Sequence, residues 1–284
     1  MSGSILVLGA TGTVGRLLVP ELVARGERVR AASRTGQAVA GAEGVRFDYE
    51  DEGLVEASLG DADRVWALVP AGQLDSPRLL RPVIGAAARR GAKVVMMTAM
   101  GADADEAIPY RQAERMLEAS GSPWAVLRPN WFMDNFGSYW IEGVRRGEIA
   151  LPAGDGRTSF IDARDIALSA VGALTSDRGD GQAWNLTGPE ALTYAEAAEV
   201  LSKATGRPIA YRPIDDAAFV ASMTGAGMPA DYAGFLAAIL GAVRAGQAAE
   251  VTGAVEHLAG RPPRDLRAHA RDHAERLGLA GRAA

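Results

Sequence analysis

The chain has 284 residues, 48% of them hydrophobic and 23% charged, which is typical of a folded globular protein. Its formal net charge of −5 argues against a nucleic-acid partner, and the absence of cysteine excludes disulfides, thiolate catalysis and cysteine metal sites. Since no run of about 18 apolar residues predicts a membrane span, we expect a cytoplasmic protein with no membrane partner.

The first predicted element is a strand of four aliphatic residues, 5–8, followed by a glycine-rich turn. An uninterrupted aliphatic run is typical of a parallel strand covered on both faces. Gly9 allows a sharp turn, Gly12 lets the backbone approach a diphosphate, and Gly15 lets the next helix pack against the strand. The N-terminus of that helix favours an anion, so the turn predicts a dinucleotide site; the alternative is an ordinary structural turn. The predicted contacts are Gly9, Thr11, Gly12, Thr13, Val14 and Gly15.

The second predicted strand, residues 29–32, ends next to a residue that bears on cofactor choice. In NAD-binding proteins an acid about 20 residues past the glycine turn binds the ribose 2′-hydroxyl, whereas a basic residue accommodates a 2′-phosphate. No Asp or Glu lies between Arg28 and Gln37, and the guanidinium of Arg34 suits a phosphate. The sequence therefore favours NADP(H) over NAD(H); the alternative is that Arg34 is a solvated surface charge.

Three more strands alternate with helices, which predicts a parallel, doubly wound sheet with right-handed crossovers. These strands are predicted at residues 45–48, 64–69 and 93–98. The end of the fourth strand, at Leu68, Val69 and Pro70, is expected to pass along the ribose and diphosphate of the cofactor. Ser76 is predicted to be the N-cap of the helix that follows.

Two segments carry a family resemblance. The opening LVLGATGTVG has the Gly-x-x-Gly-x-x-Gly spacing of extended and atypical short-chain dehydrogenases. The later ERMLEASGSPWAVLRPNWFMDNF, residues 114–136, contains a Glu, a Ser-Gly pair, an aromatic residue, Leu-Arg-Pro and Phe-Met-x-Asn in that order. Both resemble the NmrA-like family of atypical short-chain dehydrogenases/reductases, which includes quinone-reductase and ergot-alkaloid-reductase types. The resemblance implies an α/β fold, a Rossmann sheet with a smaller, mostly helical C-terminal lobe that covers the substrate.

The resemblance also implies contacts with cofactor and substrate. By position, Asp48 would contact the adenine, and Pro129 and Asn130 would lie beside the nicotinamide ring. Thr98 would hydrogen-bond a substrate carbonyl; the alternative is a hydroxyl at the strand end that contacts ribose or backbone. The expected segments are 1–130 with 158–188 for the NADP-binding domain, 131–157 with 189–256 for the substrate-covering lobe, and 257–284 for a helical tail.

The chain departs from the superfamily at the catalytic pair. Short-chain reductases commonly use Tyr-x-x-x-Lys, in which the lysine lowers the pKa of the tyrosine. The tyrosine here is Tyr110, and Glu114 stands where the lysine would be. If Glu114 is instead aligned with the family's Glu, Tyr110 falls on the lysine position and Glu106 on the tyrosine position. The pair is broken on either alignment.

Three functions are compatible with that departure. An NADPH-dependent reductase could deliver hydride to a small quinone, imine or enone that needs little acid assistance, with Tyr110 or a water as proton source. The second function is an NADP(H)-binding redox sensor without turnover. The third, a cofactor-retaining epimerase or isomerase, ranks lowest because that chemistry usually needs the Tyr/Lys base. We favour the reductase, acting on a small molecule as a monomer or homodimer.

An aromatic cluster follows the sixth predicted strand, residues 124–127. Aromatic residues make up 6% of the chain, yet five of them lie between residues 131 and 140. Such a cluster either lines an apolar substrate pocket, which would favour the reductase over the sensor, or packs the second lobe. The predicted pocket residues are Trp131, Phe132, Asn135, Phe136 and Tyr139.

Helices dominate the predicted C-terminal third. Thr193 and Glu196 have the spacing of a capping box for a helix that ends at Gly206. Residues 217–240 are expected to be helical, with breaks or mobility at their glycines and at Pro229.

The three histidines all lie near the C-terminus, at His257, His269 and His273. The last two are four residues apart, a spacing on a helix that is compatible with a metal ion. We nevertheless expect exposed surface histidines and no metal site.

Overall fold

The computed structural model of the chain describes residues 3–279. Residues 1, 2 and 280–284, which belong to the first and last predicted segments, lie outside the described residues. The strands are β1 (Ser4–Val7), β2 (Val29–Ser33), β3 (Glu43–Arg46), β4 (Ala62–Ala67), β5 (Lys93–Met97), β6 (Trp124–Pro129), β7 (Glu148–Leu151), β8 (Arg157–Thr158), β9 (Ala183–Leu186), β10 (Leu192–Thr193) and β11 (Ala210–Pro213). The helices are α1 (Gly15–Ala24), α2 (Glu52–Leu59), α3 (Ser76–Arg89), α4 (Pro109–Glu118), α5 (Ile141–Arg146), α6 (Ala163–Thr175), α7 (Tyr194–Thr205), α8 (Asp216–Gly225), α9 (Ala230–Arg244), α10 (Ala254–Ala259) and α11 (Leu266–Asp272). Short 3-10 segments lie at Ala102–Ala104 and Met133–Gly137, and a π-helical turn lies at Glu275–Leu279.

Seven strands form one sheet in the order β3-β2-β1-β4-β5-β6-β9. All neighbouring pairs are parallel; Ile5 of β1, for example, lies opposite Val29 of β2 and Arg64 of β4. The direction of winding reverses between β1 and β4, and ligands of such sheets bind outside the carboxyl ends of the strands at this switch point. The predicted doubly wound Rossmann fold is confirmed.

The chain divides into two compact units. The first contains residues 1–129, 163–186 and 253–262 and holds the seven-stranded sheet. The second contains residues 130–162, 187–252 and 263–284 and is mostly helical, with two small two-stranded sheets. Residues 253–262 thus group with the first unit and the residues after them with the second, instead of forming a separate tail from residue 257 onward.

The core of the first unit follows from the aliphatic strands. β1 lies inside the sheet between β2 and β4, and all four of its residues are buried. One face of the sheet packs apolar side chains against α2, α3 and α4, which supply among others Val55, Leu80 and Leu117. Burial of aliphatic area stabilises the unit by about 25 cal/mol per Å². The packing of these helices therefore holds the strands in place, together with the strand ends where the site lies.

Several predicted boundaries shift in the structure. β3 and β4 end two residues earlier than predicted, so Asp48 and the segment from Leu68 to Pro70 lie in the loops after those strands. The N-cap of α3 is Asp75 and not Ser76, because the Asp75 carboxylate accepts a hydrogen bond from the N–H of Arg78 at 3.2 Å. A carboxylate also interacts favourably with the positive end of the helix dipole.

The predicted capping box of α7 is confirmed. The N–H of Glu196 donates to Thr193 Oγ1 at 3.1 Å, and the N–H of Thr193 donates to Glu196 Oε2 at 2.8 Å. The predicted helix over 217–240 is two helices, α8 and α9, with the break just before Pro229; Gly234 and Gly241 lie inside α9 without interrupting it. Among residues 3–279, no helix has the length and apolar character needed to cross a bilayer.

Candidate functional site

The glycine turn lies directly after β1, at the switch point of the sheet. Gly9 has a φ of +63°, which residues with a Cβ rarely adopt. Its carbonyl accepts a hydrogen bond from the N–H of Gly12 at 2.9 Å. A Cβ on Gly15 would fall 2.1 Å from the Gly9 oxygen and 2.7 Å from the Cα of Ala10. Only glycine therefore allows α1 to begin this close to the end of β1.

The outer surface of the same turn is open to solvent. Gly9, Thr11, Gly12 and Thr13 are all exposed, and α1 begins two residues later. The N-cap residue of α1 is Val14, whose side chain makes no capping hydrogen bond. A helix N-terminus without a capping side chain attracts anions through its N–H groups and the helix dipole. The exposed, glycine-lined surface and the helix start fit the diphosphate of a dinucleotide.

Leu68, which the sequence placed in the last part of the fourth strand, lies just after β4 and beside the turn. A Cβ on Gly9 would be 3.4 Å from a methyl group of Leu68, and the Leu68 carbonyl accepts the hydroxyl of Tyr49 at 2.5 Å. Burial raises the pKa of Tyr49, so this phenol stays a neutral donor. Val69 is buried in the core and Pro70 is exposed. The structure thus brings the loops after β1, β3 and β4 together.

Arg34 and Asp48, the two residues predicted to select the adenosine end of the cofactor, are both exposed. Arg34 is the first residue after β2, the neighbour of β1 in the sheet. The carboxylate of Asp48 accepts a hydrogen bond from the N–H of Glu50 at 3.0 Å, which fixes its direction in the loop after β3. Both side chains remain accessible to a ligand.

A buried ionic network lies at the ends of β5 and β6, and the sequence did not pair its members. Glu114 of α4 has 0% exposure, and Arg128 of β6 has 6%. Arg128 donates to both oxygens of Glu114, at 2.9 and 2.6 Å, and Arg111 donates to one of them at 2.9 Å. Although burial alone lowers the pKa of Arg128, its hydrogen bonds with Glu114 and the nearby charges of Glu114 and Asp103 raise that pKa overall. Glu114 and Arg128 were visible only as separate members of the motif over residues 114–136.

The network includes one of the two predicted catalytic residues. Thr98, 5% exposed, donates its hydroxyl to Glu114 Oε1 at 2.7 Å. Its proton is therefore engaged by a carboxylate, and a bond from it to a substrate carbonyl would require that contact to break. Tyr110, at the start of α4, is partly buried and packs against the core of the first unit. Glu106 is exposed and bonds to Arg111 and Arg115.

The two residues predicted to lie beside the nicotinamide ring, Pro129 and Asn130, both make hydrogen bonds within the protein. The carbonyl of Pro129 accepts the N–H of Met100 at 3.0 Å. Asn130 is buried, and its amide nitrogen donates to Ser159 Oγ and to the Ala248 carbonyl, both at 2.8 Å. Its amide oxygen accepts the N–H of Trp131, so the side chain holds together separate segments of the second unit.

The aromatic cluster in the second unit divides into core and surface residues. Phe136 has 0% exposure and packs against Trp140 and Phe160, with ring centroids 5.2 and 5.4 Å away. It therefore has no surface that could line an open pocket, and the packing interpretation applies to it. Tyr139 is 49% exposed. Trp131, Phe132 and Asn135 are partly buried.

The expectation of exposed histidines was wrong for His269. This side chain is 2% exposed, and its Nδ1 lies 2.8 Å from Oδ2 of Asp162, which is 1% exposed. His273 is partly buried, and its ring centroid is 4.4 Å from that of His269. The sequence spacing revealed the two histidines, but Asp162 is 107 residues away in the chain and could not be paired with them in advance.

Comparison with known proteins identifies the relatives of this chain. A family model described as NAD(P)H-binding matches residues 9–177, more than half of the chain. The chain is 34% identical over 286 residues to the NAD(P)H azoreductase of Xenophilus azovorans, covering 97% of this chain and 100% of the relative. It is also 34% identical over 280 residues to the (4-alkanoyl-5-oxo-2,5-dihydrofuran-3-yl)methyl phosphate reductase of Streptomyces griseus, covering 95% and 98%.

Among solved structures, the NADPH-dependent quinone oxidoreductase 2 of Escherichia coli, complexed with NADPH, superposes with a TM-score of 0.84. The similarity covers 94% of this chain and 99% of that one at 23% sequence identity, which supports the common fold. With the glycine turn at the switch point and a family match that spans it, the chain belongs to the NAD(P)H-binding family, as its two motifs predicted.

Proposed function

We propose that the protein is an NADPH-dependent reductase of small, apolar or aromatic acceptors, of the quinone, azo or imine, and enone classes. The observation that carries the proposal is the glycine turn, where α1 approaches β1 so closely that Gly15 has no room for a Cβ. The relatives support a reductase, because the Xenophilus azovorans and Streptomyces griseus proteins are named for the reduction of azo compounds and of an unsaturated furanone phosphate.

The predicted cofactor-binding residues of the first unit each have a defined task in this proposal. The turn from Gly9 to Gly15 holds the diphosphate, and Arg34 pairs with the 2′-phosphate. Asp48 contacts the adenine, and the segment after β4 lies along the ribose. NADPH supplies the hydride when bound, and the protein orients it toward the acceptor.

The proton source in this proposal is Tyr110 or a water. Thr98 is a poor candidate because its hydroxyl donates to Glu114 at 2.7 Å, and Glu114 is itself bonded to two arginines. A quinone or an enone accepts hydride at an electron-poor carbon and delocalises the charge onto oxygen, and the resulting anion can then take a proton from solvent. Such acceptors fit a chain that lacks the Tyr-x-x-x-Lys pair.

The alternative is a sensor that binds NADP(H) without turnover. It is favoured by the broken catalytic pair and by the burial of Phe136, since a sensor needs no open apolar pocket. A test that separates the two is the absorbance of NADPH after addition of quinones, azo dyes and enones. Oxidation that depends on both protein and acceptor supports the reductase. Binding of one redox form without consumption by any acceptor class supports the sensor instead. The third function, a cofactor-retaining epimerase, would leave the absorbance unchanged but convert its substrate.

The choice of NADPH is tested by replacing Arg34 with alanine. Charge-assisted hydrogen bonds to phosphate contribute about 1.5–3 kcal/mol, so we expect NADPH affinity to fall by roughly 10- to 100-fold. NADH, which lacks the 2′-phosphate, should bind the variant and the unmutated protein equally. Isothermal titration with both cofactors measures the difference.

A matched control is Arg25→Ala, since Arg25 is an exposed arginine near the C-terminus of α1 that pairs with Glu21. That variant should keep the NADPH affinity of the unmutated protein. Equal affinity of the unmutated protein for NADPH and NADH would refute the role of Arg34.

The role of Tyr110 is tested with Tyr110→Phe, which removes only the hydroxyl. If Tyr110 donates the proton, the turnover number should fall by about 100-fold or more while NADPH affinity is unchanged, because general acid catalysis contributes about 10²–10⁴-fold. Steady-state oxidation of NADPH at saturating acceptor measures the change. An unaltered rate would assign protonation to water.

A further inference from the structure

The second unit contains a cluster of side chains that the proposed reductase does not use. Asp162, His269 and His273 each offer one ligand atom, and these atoms all lie within 4.8 Å of one another. The two histidines are one helical turn apart, and the N–H of His273 donates to the His269 carbonyl at 3.0 Å. Three potential metal ligands from two distant parts of the chain therefore converge at one point.

Rigid elements hold both sides of this cluster. The residue before Asp162, Ile161, forms a β-bridge with Phe132, and its N–H donates to the Trp131 carbonyl at 2.9 Å. On the other side, α11 is anchored in the core of the second unit by Leu266 and Ala270, both essentially buried. Such supports fix the backbone on both sides, so an ion needs only side-chain rotation and loss of the proton that Asp162 and His269 share.

The degree of burial distinguishes this cluster from a surface group of polar residues. Asp162 and His269 are 1% and 2% exposed, and buried polar groups of this kind are either hydrogen-bonded or bound to metals. The Asp162–His269 hydrogen bond joins two of the residues, and the imidazole of His273, with its ring centroid 4.4 Å from that of His269, adds a second nitrogen ligand. His273 is only partly buried, which gives an ion access from solvent.

We propose that Asp162, His269 and His273 bind a divalent transition-metal ion of the Zn²⁺ class. Imidazole nitrogen and carboxylate oxygen are the ligands that Zn²⁺ takes at about 2.0–2.2 Å, and Co²⁺ and Ni²⁺ accept the same set. A water completes the coordination on the side of His273. The bound ion joins α11 to the segment that ends at Asp162, so it stabilises the second unit independently of cofactor binding.

The proposal is tested with the full-length protein lacking any histidine tag, after treatment with a chelator. Titration with Co²⁺ is followed by visible absorption, and thermal unfolding is measured with and without Zn²⁺. We expect one ion per chain and an increase in melting temperature of roughly 5 °C at an ion concentration 100 times the Kd. No absorption and no shift with either ion would overturn the proposal.

Two variants locate the ion. His273→Ala changes a partly exposed ligand, so the protein should fold normally and bind Co²⁺ at least about 10-fold more weakly. Asp162→Asn keeps the shape of the side chain but removes its charge and should have a similar effect. The control is His257→Gln, because His257 is exposed and lies in the first unit. The control should bind Co²⁺ like the unmutated protein, and Co²⁺ binding that survives both ligand variants would place the ion elsewhere and refute the site.

Discussion

Gly12→Ala is expected to weaken NADPH binding by about 10- to 100-fold while leaving the protein folded. The new methyl group would lie on the exposed surface of the turn, 3.2 Å from the Gly9 oxygen, a close contact that a small shift can relieve. On that surface it would hold the diphosphate away from the backbone N–H groups, and each hydrogen bond to a charged group contributes about 1.5–3 kcal/mol. Fluorescence titration with NADPH measures the loss.

Gly15→Ala should act differently, because its methyl group would fall 2.1 Å from the Gly9 oxygen. Relief of such a clash requires α1 to move away from β1, and we expect a loss of about 3 kcal/mol in the free energy of unfolding together with NADPH binding. The matched control is Gly85→Ala in the middle of α3, where the nearest atom to the new Cβ is 3.5 Å away. It should leave both properties unchanged or slightly raise stability. Tight NADPH binding by Gly15→Ala would contradict the proposed site.

Glu114→Ala is expected to lower the free energy of unfolding by about 3–5 kcal/mol. Removing one partner of a buried ionic network leaves the other charges less compensated, and here both Arg111 and Arg128 would lose the same buried carboxylate, although Arg111 keeps Glu118 and Arg128 keeps Asp103. Thr98 would lose its acceptor as well. Urea unfolding measures the change, and a loss of this size is a large part of the stability of a typical domain.

Glu199→Gln is the control for this substitution. The carboxylate of Glu199 is 72% exposed and lies 4.0 Å from Lys203, so its removal should leave the unfolding midpoint unchanged. If Glu114→Ala unfolded at the same urea concentration as Glu199→Gln, the buried network would not be a source of stability. Glu114→Gln, which keeps the shape of the side chain, should fall between the two.

Thr98, one of the two predicted catalytic residues, illustrates why the function of a side chain was harder to predict than its position. The sequence placed Thr98 at the end of the fifth strand, and it lies one residue beyond β5, but its hydroxyl bonds to Glu114 on a different element. Phe136 lies in the predicted aromatic cluster, yet it is fully buried among other rings. Both residues were located by local pattern, and their contacts depend on the packing of elements that the pattern does not describe.

By itself, the sequence determined the features that depend on neighbouring residues. The aliphatic strand and the glycine spacing from Gly9 to Gly15 indicated the Rossmann fold and predicted a dinucleotide at the turn, and Thr193 with Glu196 indicated the start of α7. These features follow from backbone conformation and periodicity over a few turns of chain, which sequence spacing states directly.

Only the tertiary structure decided which polar side chains are buried and what they bond to. Asn130 reaches the Ala248 carbonyl, 118 residues away, and Asp162 meets His269 across 107 residues. The cost of burying a charge or an amide depends on the partner supplied by packing, and that partner can come from any part of the chain. The same residues on a different arrangement of helices would be solvated surface groups, with neither the buried network around Glu114 nor the cluster around His269.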